Sequence, residues 1–218
     1  MRHDDGMLQP LALAGADLAF DPHWLVADDA EALFARLRAT IAWEVHRIRL
    51  FGRTVDSPRL SCWIGDPDAA YTYSGTRFQP HPWPRLLGEL RARLRDELCV
   101  DFNSVLANLY RDGRDCMGWH SDDEDALGPQ PPIASLSLGA VRRFVLKPRR
   151  ANGATAATVD PPHRLALELP PGSLLLMRGD TQRRYRHALP RTARPVGPRI
   201  NLTFRQIVVT GSGTASSG

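Results

Sequence analysis

Two segments in the first hundred residues carry apolar side chains at helical spacing. Residues 27–45 have apolar positions three or four apart, and Asp28 or Asp29 can cap their first turn. Residues 83–98 have a single stripe of leucines, and Pro84 suits the first position of a helix. The pattern therefore predicts two helices whose apolar stripes face a core.

After residue 100 the apolar pattern changes to short segments of strand length, separated by turns that contain Pro or Gly. Strands are predicted at residues 104–110, 133–138, 143–147, 164–169, 173–178 and 199–209. Helices followed by many strands indicate an α+β fold, with helices packed on a β-sandwich or barrel. Residues 148–163 are small and polar and predict a mobile hairpin loop, and residues 210–218 predict a disordered tail.

Length and cysteine content favour a single reduced domain. The chain has 218 residues, enough to bury a core without covalent staples. Cys62, Cys99 and Cys116 are odd in number and far apart, which argues against a disulfide framework or a zinc knuckle. The apolar patch at residues 8–20 is interrupted by Asp17 and does not follow a basic region, so a signal peptide is not expected. These features lead us to expect a cytoplasmic protein with no membrane span.

The charge is compatible with a polyanionic partner but does not identify one. Lys and Arg number 28 against 24 acidic residues, which gives a formal net charge of +4. Such a surplus suits nucleic acid. A GC-rich genome would produce the same abundance of arginine, so both explanations stay open.

A His-x-Asp pair offers the first candidate chemistry. His120 and Asp122 are two residues apart, and in an extended segment they would point to the same face and could share one cation. A third ligand could come from His187. Two histidines and one carboxylate form the facial triad of non-haem Fe(II) oxygenases, which leaves three coordination positions open. Taken alone, an HxD pair is weak evidence, because most such pairs are surface residues.

The last predicted strand strengthens this interpretation. In RINLTFR, residues 199–205, Arg199, Asn201, Thr203 and Arg205 alternate with apolar residues and share one face. That face either lies in solvent, as in many half-buried strands, or forms a cradle for a dicarboxylate, since arginine gives bidentate hydrogen bonds to carboxylates. On a neighbouring strand, Asn108 and Tyr110 could add an amide and a hydroxyl.

Together these motifs resemble the AlkB family of Fe(II)- and 2-oxoglutarate-dependent dioxygenases. The resemblance spans residues 51–207 and is closest to the animal homologues that repair duplex DNA. It rests on HSDDE at 120–124, HALP at 187–190 and RINLTFR, together with FNSVLANLY at 102–110, RDG at 111–113, PIASLSLGA at 132–140 and GSLLLM at 172–177.

The resemblance implies a double-stranded β-helix (jelly roll) flanked by helices, with an N-terminal nucleotide-recognition segment. It implies an N-terminal part at residues 1–100 and a catalytic core at residues 101–209, integrated in one domain. Fe(II) would be bound by His120, Asp122 and His187. The cosubstrate 2-oxoglutarate would be held by Asn108, Tyr110, Arg199, Asn201, Thr203 and Arg205, with one arginine on its distal carboxylate and the other at the metal-proximal end. O₂ would be consumed, and succinate and CO₂ released.

The resemblance also implies substrate contacts. Phe51 and Gly52 stand where duplex-repairing relatives have a wedge finger, which suits an enzyme that extrudes a base from the stack. Tyr73 would stack on the extruded base, with Tyr71 and Ser74 in the same lid, and Asp123 and Glu124 would accept from its edge. Arg53 and Arg59 are expected at DNA phosphates. Each of these residues has a plainer interpretation as a packing or surface residue.

Two positions depart from the family pattern. Tyr73 replaces a phenylalanine, which preserves stacking, and Arg186 replaces an aromatic residue beside His187.

We therefore expect oxidative demethylation of 1-methyladenine and 3-methylcytosine in DNA, duplex and also single-stranded, by a monomer. The alternatives are an AlkB-like oxygenase acting on RNA or protein, or a nucleic-acid binding module whose oxygenase site has decayed.

Overall fold

The computed structural model describes residues 7–50, 53–69, 71–73, 76–149 and 164–208. The predicted loop at 148–163 and the predicted tail at 210–218 lie almost entirely outside these residues, as do Phe51, Gly52 and Ser74. The helices are α1 (Ala27–Thr40), α2 (Arg85–Leu98) and the short α3 (Thr181–Arg184), with a 3₁₀ turn at Asp125–Leu127. The strands are β1 (Gln9–Pro10), β2 (Asp17–Asp21), β3 (Arg47–Leu50), β4 (Arg53–Asp56), β5 (Leu60–Gly65), β6 (Tyr71–Tyr73), β7 (Thr76–Phe78), β8 (Ser104–Tyr110), β9 (Met117–His120), β10 (Ile133–Gly139), β11 (Arg142–Pro148), β12 (Leu165–Leu169), β13 (Leu174–Arg178), β14 (Tyr185–Leu189) and β15 (Arg199–Arg205).

Two antiparallel sheets form the frame of the molecule. The large sheet has seven strands in the order β1-β2-β13-β10-β15-β8-β5, and the small sheet has four in the order β12-β11-β14-β9. A cluster of apolar side chains from both sheets, including Ile133, Leu175, Phe144 and Leu146, packs between them. Two sheets facing each other with helices on one side are the predicted jelly-roll arrangement in an α+β fold.

The two helices cover the outer face of the large sheet. Leu37 of α1 and Leu87 and Leu94 of α2 are fully buried against Leu202 and other apolar residues of the central strands. This confirms the predicted leucine stripe of the second helix as a core face. No helix in the described part of the chain is long and apolar enough to cross a membrane.

The boundaries differ from prediction at the helix ends. α1 ends at Thr40 rather than residue 45, because Glu44 forms a backbone bridge with Ser61 at the edge of β5. Among the described residues no side chain forms a capping hydrogen bond at the start of α1; Asp28 lies within the first turn, where its negative charge stabilises the positive end of the helix dipole. α2 begins at Arg85, so Pro84 is its N-cap rather than its first residue.

The predicted segregation of helices before strands is wrong. In the described part of the chain seven strands precede residue 100, and three of them, β1, β2 and β5, belong to the large sheet, where β2 pairs with β13 and β5 pairs with β8. The six predicted strands are present, five of them with ends shifted by no more than one residue, whereas the last ends at Arg205 rather than at residue 209. The sequence interpretation missed β9 and β14, which carry two of the three candidate ligands.

Tight turns connect the two sheets. Between β10 and β11 the chain turns at Gly139, whose φ is +80°. A Cβ at this position would lie 2.5 Å from the carbonyl oxygen of Pro198, so only glycine fits both the backbone conformation and the space. This turn connects the serine-bearing strand β10 to β11, which lies beside the His187 strand.

Candidate active site

The polar face of β15 is buried rather than solvated. All seven residues of the strand are buried, and its apolar members Ile200, Leu202 and Phe204 pack into the helix-side core. Arg199, Asn201, Thr203 and Arg205 therefore point the other way and line a cavity between the two sheets. This decides between the two sequence interpretations in favour of an internal polar cradle.

Strand register places the neighbouring polar residues beside this face. Arg199 lies opposite Tyr110 and Asn201 lies opposite Asn108 in the β15–β8 ladder. On the other side of β15, Ser135 and Ser137 of β10 join the polar face through side-chain hydrogen bonds. All six residues predicted to hold 2-oxoglutarate line the same cavity: Asn108, Tyr110, Arg199, Asn201, Thr203 and Arg205.

The three candidate metal ligands come together at one end of this cavity. His187 of β14 pairs directly with His120 of β9, and the ring centroids lie 4.2 Å apart. Asp122 follows β9, and its Oδ2 lies 3.6 Å from Nε2 of His187. One ligand atom of each residue lies within 4.8 Å of the others, close enough for all three to bind a single ion.

A β-bulge explains how β9 presents its histidine. The ladder with β14 shifts between the pairs His187–His120 and Leu189–Met117, so two residues of β9 face one residue of β14. Met117 and His120, three apart, consequently both line the cavity. The bulge places Gly118 and Trp119 on the exposed side.

Arg205 fixes the carboxylate of Asp122. Its Nη2 donates a hydrogen bond of 2.6 Å to Oδ1, and both side chains are buried. Burial alone would raise the pKa of Asp122, but the positive charge of Arg205, aided by its hydrogen bond and by the two histidines when they are protonated at low pH, outweighs burial and lowers the pKa to about 2. Asp122 is therefore ionised at neutral pH and available as a ligand.

The histidines are held in the form that metal binding requires. Burial, with help from neighbouring His120, lowers the pKa of His187 to about 3. Burial also lowers the pKa of His120. Both imidazoles are therefore neutral at physiological pH, and a neutral imidazole nitrogen can coordinate a cation. The ring of Phe144 lies 5.3 Å from that of His187 and covers it on the small-sheet side.

Arg199 is the second buried arginine on the polar face of β15. Only 2% of its surface is exposed, and Nη2 donates a hydrogen bond of 2.9 Å to Oγ of Ser137. Its Nε donates to no atom of the described residues, and no carboxylate among them pairs with it. Burial lowers the pKa of Arg199 to about 10, which still leaves it charged.

The donor set fits Fe(II) with a dicarboxylate cosubstrate. A buried guanidinium without an anionic partner is costly, so Arg199 calls for an anion in the cavity. At the other end, Oδ2 of Asp122 accepts no hydrogen bond among the described residues and faces the imidazoles. The cavity thus has a cation-binding end and an anion-binding end.

The structure describes some of the predicted substrate-binding residues, whereas Phe51, Gly52 and Ser74 lie outside the described residues. Asp123 is exposed and forms an ion pair with Arg149, while Glu124 is half-buried. Tyr71 and Tyr73 lie on β6, which pairs with β7. Arg53 begins β4, opposite Leu50 of β3.

Arg59 requires a correction. It is buried, and its Nε donates a hydrogen bond of 2.6 Å to Oδ1 of Asn108, while Nη1 donates to Oγ of Ser57. Arg59 therefore lies inside the molecule rather than on the surface where a DNA phosphate contact was predicted. Its bonding fixes the side chain of Asn108 at the cavity wall.

Sequence reasoning also missed two supports of the site. Gln182 accepts a hydrogen bond through Oε1 from the backbone amide of Asp122, and Ser137 accepts one from Arg199. Gln182 is 60 residues from Asp122, so no local sequence pattern predicts the contact. The alternating SLS of β10 did contain a signal for Ser137, which shares the cavity face with Ser135.

Comparison with known proteins agrees with this geometry. The family model of the 2OG-Fe(II) oxygenase superfamily matches residues 17–205. Human DNA oxidative demethylase ALKBH2 is 37% identical over 188 residues, which is 84% of this chain and 70% of that protein. The mouse alpha-ketoglutarate-dependent dioxygenase alkB homolog 3 is 36% identical over 190 residues, 85% of this chain and 64% of that protein.

Solved structures support the fold. The structure of OsALKBH1 superposes with a TM-score of 0.55 at 17% identity, covering 92% of this chain and all of that one. An oxidoreductase of the 2OG-Fe(II) oxygenase family from Burkholderia pseudomallei superposes with a TM-score of 0.54 at 18% identity, covering 86% of this chain and 84% of that one.

The chain belongs to the AlkB family of the 2OG-Fe(II) oxygenase superfamily. It is a dioxygenase that uses Fe(II), 2-oxoglutarate and O₂.

Proposed function

We propose that this dioxygenase removes methyl groups from N-alkylated bases of DNA, such as 1-methyladenine and 3-methylcytosine. The observation that carries the proposal is the cavity itself, in which a His-Asp-His triad lies at one end and the buried Arg199 at the other. The relatives named DNA oxidative demethylase, at 37% identity over most of the chain, supply the substrate class.

In this proposal, His120, Asp122 and His187 would hold Fe(II), and a set of three protein ligands would leave coordination positions for the cosubstrate and O₂. Arg205 keeps Asp122 charged and prevents its carboxylate from turning away. Gln182 holds the backbone of Asp122 in place.

The cosubstrate would lie along β15. Arg199 would bind the distal carboxylate of 2-oxoglutarate, since it is a buried cation without a carboxylate partner among the described residues. Tyr110, whose ring lies 5.4 Å from the guanidinium of Arg199, would line the same end of the cavity. Asn201 is fixed by Ser135 and Thr203, so the middle of the cradle is rigid before the cosubstrate arrives.

When bound, Fe(II), 2-oxoglutarate and O₂ together supply an oxidant that puts one oxygen atom on the substrate methyl group and the other into succinate, with loss of CO₂. The resulting N-hydroxymethyl base releases formaldehyde and regains its original N–H or lone pair. The apolar side chains that border the triad, including Phe144, Leu189 and Met177, exclude water from the reacting centre.

On the substrate side, we propose that Tyr73 stacks on the extruded base, with Tyr71 and Ser74 beside it. Asp123 and Glu124 would accept from the exocyclic amino group of the base.

For duplex DNA we propose a wedge at Phe51 and Gly52, with Arg53 at a phosphate. In support, β3 and β4 form an antiparallel pair in which Leu50 lies opposite Arg53, and Phe51 and Gly52 join them in the sequence. An apolar wedge would fill the gap that an extruded base leaves in the stack.

The proposal is tested with oligonucleotides that carry a single 1-methyladenine or 3-methylcytosine. Duplex DNA, single-stranded DNA and RNA of the same sequence are incubated with the protein, Fe(II), 2-oxoglutarate and O₂, and the bases are analysed by mass spectrometry. We expect loss of the methyl group from DNA, and none when 2-oxoglutarate is omitted. Repair of RNA alone, or of no oligonucleotide at all, would overturn the proposal.

A further inference from the structure

The bulge in β9 exposes a tryptophan beside the metal ligands. Trp119 keeps 42% of its surface exposed, although it precedes His120 directly. All five tryptophans of the chain lie in its described part, and Trp119 is the only one that is exposed. Among the described residues, β9 is also the last strand of the small sheet, so this indole lies at an edge of that sheet.

Two cations accompany the exposed indole. The ammonium group of Lys147 lies 4.0 Å from the ring centroid of Trp119, a cation–π contact that holds the ring in place. Arg186 lies opposite Lys147 in the β11–β14 ladder, and it is exposed because the alternate residue His187 points into the cavity. No acidic side chain among the described residues forms an ion pair with Lys147 or Arg186.

An exposed aromatic ring on the same side of a sheet as cations without carboxylate partners is the combination that single-stranded nucleic acids recognise. Bases stack on the ring while phosphates contact the cations, and neither contact depends on sequence. A duplex cannot use such a ring, because its bases are already stacked on one another. Isolated exposed tryptophans are otherwise uncommon, since their apolar area is costly to leave in water.

We propose that Trp119, Lys147 and Arg186 form a binding surface for single-stranded DNA. A base flanking the lesion stacks on the indole of Trp119, and the adjacent phosphates contact Lys147 and Arg186. The lesion base enters the cavity past the neighbouring His120. This proposal rests on the proposed function, which it extends by giving single strands a binding site separate from the duplex wedge.

The direct test is tryptophan fluorescence during titration of the full chain with undamaged single-stranded oligodeoxyadenylate. Because Trp119 is the exposed tryptophan, stacking should quench its emission. Trp119→Ala should abolish this quenching and weaken binding by about tenfold. Trp119→Phe, which keeps an aromatic face, should restore most of the affinity.

Salt dependence tests the two cations. Lys147→Gln and Arg186→Gln should each reduce the slope of log affinity against log salt by about 0.7, the value for one single-strand phosphate contact. Val141→Ala is the matched control, because Val141 is another exposed apolar residue, in the turn between β10 and β11. It should leave quenching, affinity and slope unchanged.

Activity measurements distinguish loss of the proposed binding surface from a structural disturbance of the neighbouring ligand His120. Trp119→Ala should lower kcat/KM on methylated single strands by about tenfold, mainly through KM, and change duplex repair by less than about threefold. Fe(II) affinity should match that of the wild type. Unchanged single-strand affinity in Trp119→Ala would overturn the proposal, and so would a loss that accompanies weakened Fe(II) binding.

Different results would overturn the proposed function and the proposed binding surface. Quenching by single strands in a protein that repairs no methylated DNA would overturn the proposed function and leave the binding surface standing. Normal repair of single strands by Trp119→Ala would overturn the binding surface alone.

Discussion

Oε1 of Gln182 accepts a hydrogen bond of 3.0 Å from the backbone amide of Asp122. Gln182 is buried in the short helix α3, five residues before His187. One side chain thereby connects the segments that carry two of the three metal ligands. Such outer contacts orient ligands and typically influence metal affinity by about 10- to 100-fold.

We expect Gln182→Ala to weaken Fe(II) binding by about 10- to 100-fold while 2-oxoglutarate affinity changes little. Anaerobic titration with Fe(II) measures this directly. Gln130→Ala is the matched control, because Gln130 is exposed and its Nε2 donates a hydrogen bond to Asp180, away from the metal ligands. Equal Fe(II) affinities in both variants would remove Gln182 from the site.

Arg199→Ala should raise the 2-oxoglutarate requirement by at least about a hundredfold. Removing one partner of a buried charge pair costs about 3–5 kcal/mol, and Arg199 is the proposed partner of the distal carboxylate. The measurement is the KM for 2-oxoglutarate. Arg143→Ala, at an exposed arginine of β11, should leave that KM unchanged. If Arg199→Ala lost DNA binding instead, Arg199 would belong to the nucleic-acid surface.

Arg205→Ala should raise the 2-oxoglutarate KM as well, and it should also change the pH dependence of Fe(II) binding. In the wild type the pKa of Asp122 is held at about 2, mainly because Arg205 offsets the effect of burial. Without Arg205, burial raises that pKa, and protons compete with the metal at higher pH. Fe(II) affinity of the variant should therefore fall on acidification at a higher pH than that of the wild type. Coincident pH profiles would show that Arg205 does not control Asp122.

His187→Ala and Asp122→Ala should both abolish turnover, because two ligands cannot maintain the facial arrangement. The metal-free proteins should stay folded by circular dichroism, since the jelly-roll core does not depend on the ion. Asp122→Ala should melt at a lower temperature than His187→Ala, because it leaves Arg205 without its buried carboxylate. Formaldehyde release near the wild-type rate from either variant would refute the ligand assignment.

Phe51→Ala should act selectively on duplex substrates. Extruding a base from a duplex costs a few kcal/mol and much less in a single strand, so loss of a wedge matters only in the duplex. We expect kcat/KM to fall about tenfold or more on methylated duplex DNA and to stay within about threefold on single strands. Equal losses on both substrates, with a lower melting temperature, would indicate a core residue instead.

Strand alternation made part of the site predictable from the sequence. The period of two in RINLTFR puts both arginines on one face, and the same rule groups Asn108 with Tyr110. Alternation alone could not show whether that face of the strand is exposed to solvent or buried. This depends on the small sheet, whose strands β9 and β14 have weak local patterns.

Other features depend on contacts that are distant in sequence. α1 ends early because Glu44 pairs with Ser61, and Arg59 turns inward because Asn108 accepts its hydrogen bond. The bulge in β9, which exposes Trp119, arises only when β14 pairs beside it. None of these contacts produces a hydrophobic periodicity in its own segment, so the sequence pattern could not predict them.

The most direct test of the central claim is a single-turnover experiment with the intact chain. Protein, Fe(II), 2-oxoglutarate and DNA bearing 1-methyladenine are mixed anaerobically, O₂ is admitted, and formaldehyde, succinate and unmethylated adenine are measured together. The account predicts equal amounts of the three products, all lost when 2-oxoglutarate is omitted. Succinate formed without formaldehyde, or adenine restored without 2-oxoglutarate, would contradict it.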